Sequence, residues 1–276
     1  MPRAKANGIE IEYETFGEPS AAPLLLIAGL GVQMISWDED FCALLASRGF
    51  RVVRYDNRDC GLSTWMEEAY TLDDMAADAF GLLDALGIEA AHVVGASMGG
   101  FIAQLIALNH PERVLTLTSI MSGPNGQDQV QPTEQGRAVL LVPAPETPEQ
   151  RVDVGLWAKQ QLLGPADTFD EAYERERIAR AVARAYHPAG FVRQLQAIAA
   201  APSRLERLRS LRVPALVIHG DSDILVPVDN GRKVAAAVPA ARLVEIEGMG
   251  HDLPKRVWSQ VVDEIAALAR QSATTC

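Results

Sequence analysis

The chain has 276 residues, 48% of them hydrophobic and 22% charged, a composition that suits a globular protein large enough for one α/β core with an insertion. With 25 Lys and Arg against 36 Asp and Glu, the formal net charge is -11, and such a field repels phosphate backbones and anionic lipid. Nucleic-acid and membrane-surface partners are therefore not expected.

The opening MPRAKANGIEIEYETFG contains neither a signal-like apolar core nor a spanning segment, so the expected compartment is the cytoplasm. After the turn at Asn7 and Gly8, Ile9, Ile11 and Tyr13 alternate with Glu10, Glu12 and Glu14, the period of a half-buried antiparallel strand at or near a sheet edge. Short apolar runs follow at Pro23 to Gly29, Arg51 to Asp56, Ala91 to Ala96, Arg113 to Ile120, Pro214 to Gly220 and Arg242 to Gly248. Most lack alternation, as strands covered on both faces do. Between them lie helical patterns, the best written being TLDDMAADAFGLLDALG, with Thr71 as cap, Asp73 and Asp74 in the first turn and Gly87 as stop. Further helices are expected to start near Trp37, Met98 and Asp229, and after Leu253. The alternation predicts an α/β fold: a mostly parallel central sheet with helices on both faces.

One long stretch breaks the alternation. Residues 124–207 hold a polar, loop-like PNGQDQVQPTEQG, then amphipathic helical patterns from Thr147 and Pro148, in FDEAYERERIARAVARAY and in FVRQLQAIAAA. A structureless loop of that length is implausible in a compact domain. We read 1–123 with 208–276 as the core and 124–207 as a helical cap over the carboxyl edge of the sheet. The cysteines Cys42, Cys60 and Cys276 have no metal-like or CxxC spacing and read as free thiols; no metal or cofactor is expected.

Chemistry concentrates at Gly95-Ala96-Ser97-Met98-Gly99, a G-x-S-x-G sequence with an apolar strand before it and a helical pattern after it. A strand-to-helix turn within a residue or two exposes the Ser97 hydroxyl at the sheet edge, next to the unpaired amides of a helix N-terminus. A nucleophilic serine needs a base and a group to orient it. Of five histidines, His92, His110, His187 and His219 read as structural or surface residues, whereas His251 stands in a glycine-flanked loop after the last strand. HGDSDILVP, after the penultimate strand, supplies Asp221 and Asp223; Asp223 is preferred as the orienting acid and Asp221 as organiser of the turn. Asp252, adjacent to His251, is poorly placed to reach its own neighbour's imidazole.

The ordered set Gly29-Leu30-Gly31, YDNRDCGLS, GASMGG, an insertion, HGDSDILVP and GMGH resembles the α/β-hydrolase superfamily over nearly the whole chain. YDNRDCGLS and ARLVEIEGMGHDLP are similar to the aclacinomycin methylesterase-like esterases within it. The resemblance implies Ser97 as nucleophile, His251 as base and acid, and Asp223 as the third member, with an oxyanion hole from the backbone N–H groups of Leu30 and Met98. It implies ester hydrolysis through an acyl-enzyme, on a small-molecule ester. Two departures stand out: many relatives have His-Gly where this chain has Ala28-Gly29, and Arg-Gly where it has Arg58-Asp59. The first means that the oxyanion loop must be held by other groups.

A lactonase, a carbon-carbon bond hydrolase or a cofactor-free perhydrolase could use the same triad, and a ligand-binding receptor on this scaffold is the reading from a different class. Ser97 disfavours the dehalogenases and epoxide hydrolases, whose nucleophile is an aspartate. Gly29, Met34, Trp37 and Trp157 are the candidate substrate contacts, with Leu156, Leu162, Leu163 and Phe191 as further apolar candidates; each could instead simply pack its neighbours. Oligomeric state is not readable.

Overall fold

The computed structural model describes residues 2–239 and 241–274, so Cys276 lies outside the described residues. Eight strands form one sheet in the order β1-β2-β4-β3-β5-β6-β7-β8. They are β1 (Arg3–Ala6), β2 (Ile9–Phe16), β3 (Ala22–Ile27), β4 (Phe50–Tyr55), β5 (Ala91–Ala96), β6 (Val114–Ile120), β7 (Ala215–Gly220) and β8 (Arg242–Ile246). The hairpin β1-β2 and the β2-β4 pair are antiparallel, and every pair from β4 across to β8 is parallel. The sheet is therefore the mostly parallel one expected.

Successive side chains along β3 show why these runs carry no polar alternation. Leu25 and Ile27 enter one core with Val53, Val93 and Leu117, while Leu24 and Leu26 enter the other with Val52, Val94 and Ile218. The first core is closed by α2 (Leu72–Ala85), α3 (Met98–Asn109) and α9 (Asp229–Ala237), through Met75, Leu82, Ile102 and Val234. The second is closed by α1 (Glu39–Ser47) and α10 (Trp258–Thr274), through Phe41, Leu45, Val261 and Ile265. Helices α1 and α2 start where the sequence supplies a cap. At α2, Thr71 Oγ1 accepts from the Asp74 amide while Asp74 accepts from that of Thr71, two of the donors that a helix start leaves unpaired.

Strand β1 and the start of α1 differ from expectation. Strand β1 precedes the turn at Asn7 and Gly8, but its Arg-Ala-Lys-Ala has no apolar period to announce it; pairing with β2 makes it a strand. Helix α1 begins at Glu39, because Asp38 caps it by accepting from the Asp40 amide, and Trp37 lies before it.

Between β6 and β7 lie α4 (Glu134–Leu140), α5 (Pro148–Leu162), α6 (Glu171–Arg184), α7 (Pro188–Ala200) and the short α8 (Leu205–Leu208). Helix α4 begins inside the stretch that reads as polar loop, where Thr133 accepts from the Gly136 amide. Among the described residues no helix is long and apolar enough to cross a membrane.

At the amino end of β5, His92 is buried against the Phe50 ring, with Nδ1 2.8 Å from Thr116 Oγ1. Burial pushes its imidazole down to about 4. The unfolded chain takes up this proton near pH 6.5, so the folded state loses stability as pH falls from about 6.5 towards 4. His92→Gln is expected to shrink the loss of unfolding free energy between pH 7 and pH 4.5 by about 2 kcal/mol. Denaturant titrations at the two pH values check this, and an unchanged loss would contradict it.

Candidate active site

Ser97 alone separates β5 from α3, and its backbone, at φ 56° and ψ -120°, belongs to neither element. Bonds on both sides hold it there: its amide donates to the Ile120 carbonyl at 2.9 Å, and its carbonyl accepts from Ser122 Oγ at 2.8 Å. The turn brings three backbones together. A Cβ on Gly95 would sit 2.0 Å from the Gly99 carbonyl oxygen, and one on Gly99 would sit 2.1 Å from that of Ile27. Glycine is required at both positions because no side chain fits.

Asp223 stands in the loop after β7, and each of its carboxylate oxygens is used. Oδ1 accepts the amides of Leu225 and Val226 at 2.9 and 2.8 Å, which fixes the carboxylate plane. Oδ2 lies 2.7 Å from His251 Nδ1, and His251 Nε2 lies 3.0 Å from Ser97 Oγ. An ionised carboxylate can only accept, so the proton sits on Nδ1 and leaves the Nε2 lone pair facing the serine hydroxyl. Burial by itself would raise the Asp223 carboxyl, but the adjacent His251 ring and the hydrogen bonds from His219 and His251 hold it well below the usual carboxylate range.

The neighbouring acids are engaged elsewhere. Asp221 accepts the Gly248 amide at 2.8 Å and so ties the loop after β7 to the one carrying His251. Asp252 pairs with Lys159 of α5, which also lies 3.7 Å from Glu174. The Ala166 amide donates to the Gly248 carbonyl, a second tie between the helical insertion and the His251 loop.

The Met98 amide opens α3 and has no acceptor within the helix. Gly29 lies against the serine, a Cβ there being 3.4 Å from Ser97 Cβ and 3.8 Å from Oγ. The loop from Ala28 to Met34 is held without a histidine. Asn57 Nδ2 donates to the Ala28 carbonyl at 3.1 Å, Asp56 Oδ1 accepts the Met34 amide at 2.8 Å, and Gln33 Nε2 donates to the carbonyls of Ala181 and Ala185 on the insertion. Asp59 adopts a left-handed φ of 65°. Its carboxylate is gripped by Arg193 Nε at 2.7 Å and Nη2 at 3.0 Å, with His187 at 3.3 Å.

Three of the candidate substrate contacts are not brought to the serine. Met34 is 0% exposed and Trp37 4%, stacked on Phe41 in the core beside α1, so neither faces an open space. Trp157 is 39% exposed and borders a surface hollow with Val142, Asp153 and Val154, away from the Ser97 cluster. Phe191 does reach the loop, its Cδ2 lying 2.6 Å from where a Gly31 Cβ would be. Sequence reasoning missed His219, whose Nε2 donates to the Val226 carbonyl at 2.7 Å and lies 3.4 Å from Asp223 Oδ2. Its spacing of four from Asp223 was the available signal. Among the described residues no group of three or more His, Cys, Asp or Glu side chains is placed to hold a metal ion.

The family model described as the alpha/beta hydrolase fold matches residues 22–254. Rhodomycin D methylesterase DnrP of Streptomyces peucetius is 35% identical over 98% of this chain and 99% of its own length. Rhodomycin D methylesterase DauP of Streptomyces sp. (strain C5) is 36% identical over 93% of this chain and 94% of its own. Among solved structures, a meta-cleavage product hydrolase from Pseudomonas fluorescens superposes with a TM-score of 0.83 over 99% of this chain and 98% of that one; at 23% identity this likeness concerns the fold.

Because backbone atoms fill the space at Gly95 and Gly99, Gly95→Ala and Gly99→Ala are each expected to destabilise the protein by at least about 2 kcal/mol. An unfolding midpoint equal to that of the unaltered chain would contradict the close approach.

Proposed function

The chain belongs to the α/β-hydrolase fold family and is an ester hydrolase, and from that premise we propose that it cleaves small-molecule carboxylic esters through an acyl-enzyme on Ser97. The observation that carries this reading is the hydrogen-bonded line Asp223–His251–Ser97, with contacts of 2.7 and 3.0 Å. His251 Nε2 takes the hydroxyl proton as Ser97 Oγ attacks the ester carbonyl. Asp223 holds the Nδ1–H tautomer and stabilises the imidazolium that forms. The amides of Leu30 and Met98 donate to the oxyanion of the tetrahedral intermediate. Collapse expels the alkoxide, which leaves as the alcohol with the proton from His251. Water then attacks the acyl-enzyme with His251 again as base, and Ser97 is released with the acid product.

Residues 124–207 act in this reading as a helical cap, supported by the ties from Lys159 to Asp252 and from Gln33 to α6. The two rhodomycin D methylesterase relatives favour a methyl ester as the substrate. The buried, unbridged Cys42 and Cys60 support a reducing compartment, the cytoplasm. A panel of esters graded by acyl length, with lactones and an aromatic polyketide methyl ester, separates the ester reading from a lactonase or a carbon-carbon hydrolase. Slow labelling by a single equivalent of ester without turnover would favour a receptor.

Ser97→Ala is expected to lower ester turnover by at least about a thousandfold with an unchanged thermal midpoint; retained turnover, with full titration by a fluorophosphonate, would refute the assignment. His251 must be neutral to accept the proton, while Asp223, held low, stays ionised. Activity therefore requires a neutral imidazole beside an ionised carboxylate.

A further inference from the structure

Gln194 of α7 is fully buried, and both arms of its amide are committed. Oε1 accepts the Gly31 amide at 2.8 Å and Nε2 donates to the Arg58 carbonyl at 2.8 Å. Since one partner only donates and the other only accepts, the side chain has a single orientation. Its neighbours on the helix fix its position: Phe191 packs on Gly31 and Arg193 grips Asp59.

These bonds bear on a run of three peptides. The first, between Ala28 and Gly29, is held by Asn57 on its carbonyl. The third, between Leu30 and Gly31, is held by Gln194 on its amide, at a residue with φ 65°. The middle one carries the Leu30 N–H, and its carbonyl, that of Gly29, accepts from the Val32 amide at 3.3 Å. A trans peptide points its N–H opposite to its C=O. The direction of the Leu30 N–H is thus set by what holds the peptides on either side.

We propose that Gln194 is the positioning residue of the oxyanion loop, replacing from the insertion the side-chain support that Ala28 cannot give. The inference rests on the reading of Ser97 as nucleophile and Leu30 as oxyanion donor. It makes α7 part of the hole: with Gln194 seated, the Leu30 amide is aimed before substrate arrives; without it, that peptide is held only by the 3.3 Å bond from Val32 and by Asn57 on the peptide before it. The effect belongs to the tetrahedral state, because a ground-state carbonyl gains little from a donor aimed at the oxyanion.

The test compares the unaltered enzyme with Gln194→Met and Gln194→Glu, using kcat and KM on one ester and the affinities for a trifluoromethyl ketone and the matching methyl ketone. Only the fluorinated ketone adds Ser97 to form an oxyanion. Gln194→Met is expected to lower kcat about tenfold to a hundredfold, less than or equal to deleting a donor outright, with KM within about twofold. Its affinity for the trifluoromethyl ketone should fall by the same factor, and that for the methyl ketone should not move. In Gln194→Glu the protonated carboxyl can both accept from Gly31 and donate to Arg58, so its kcat relative to the unaltered enzyme should rise as pH is lowered. An unchanged kcat and ketone affinity in the Met variant, an equal loss for both ketones, or a pH-independent ratio in the Glu variant would overturn the inference; the last decides it if the Met variant does not fold. Failure of the underlying reading looks different: the unaltered enzyme would then bind the two ketones alike, and Ser97→Ala would change neither.

Discussion

At Ser97 the backbone stands at φ 56° and ψ -120°, a conformation that costs a non-glycine residue about 1–3 kcal/mol and persists only where its surroundings dictate it. Those surroundings are the adjoining strands and the helix it starts. The Ile120 carbonyl at the end of β6 takes its amide, the Ile27 carbonyl at the end of β3 presses on Gly99, and the buried faces of α3 keep the helix on the sheet. The strain is sustained by the double-faced core, in which Leu24 and Leu26 pack on one side and Leu25 and Ile27 on the other. Relaxing the turn would move the hydroxyl off the line of His251 and would also disturb the contacts among β3, β5 and α3.

The loops at this edge are tied to one another by more than the contacts among Ser97, His251 and Asp223. Asp221 joins the loop after β7 to the loop after β8, and Asp223 is held flat by two amides and approached by His219. The helical insertion enters at both ends of the cluster. Lys159 and Ala166 brace the His251 loop, while Gln33 reaches α6 and Asp59 is gripped by Arg193 of α7. Asp59 combines a left-handed turn with a carboxylate that docks the insertion. Asn57, Asp56 and Gln194 hold the loop that begins at Ala28.

The sheet was legible because its strands are written twice, as apolar runs and by the turn residues between them, and α2 because Thr71 and Asp74 cap it reciprocally. Ser97, Asp223 and His251 stand out in the sequence as particular residue types in loops after apolar runs, and the structure places them after β5, β7 and β8, within hydrogen-bonding reach of one another. β1 was not, since Arg-Ala-Lys-Ala is a strand only by virtue of its partner. Met34 and Trp37 show the opposite case: large apolar residues near this loop read as substrate contacts, but burial is a tertiary fact, and here both side chains are buried, Trp37 in the core beside α1. Gln194 and His219 were hidden for the same reason. A glutamine on an amphipathic helix and a histidine ending a strand read as ordinary residues until burial shows that their polar atoms face the site.

Passage of an acyl group through Ser97 is read directly by a rapid-quench experiment. With an activated ester mixed at several equivalents, a burst of alcohol stoichiometric with enzyme is expected, with an intact mass raised by the acyl group and that mass located on the peptide containing Ser97. A linear release of alcohol with no adduct at any quench time, or an adduct on another residue, would contradict it.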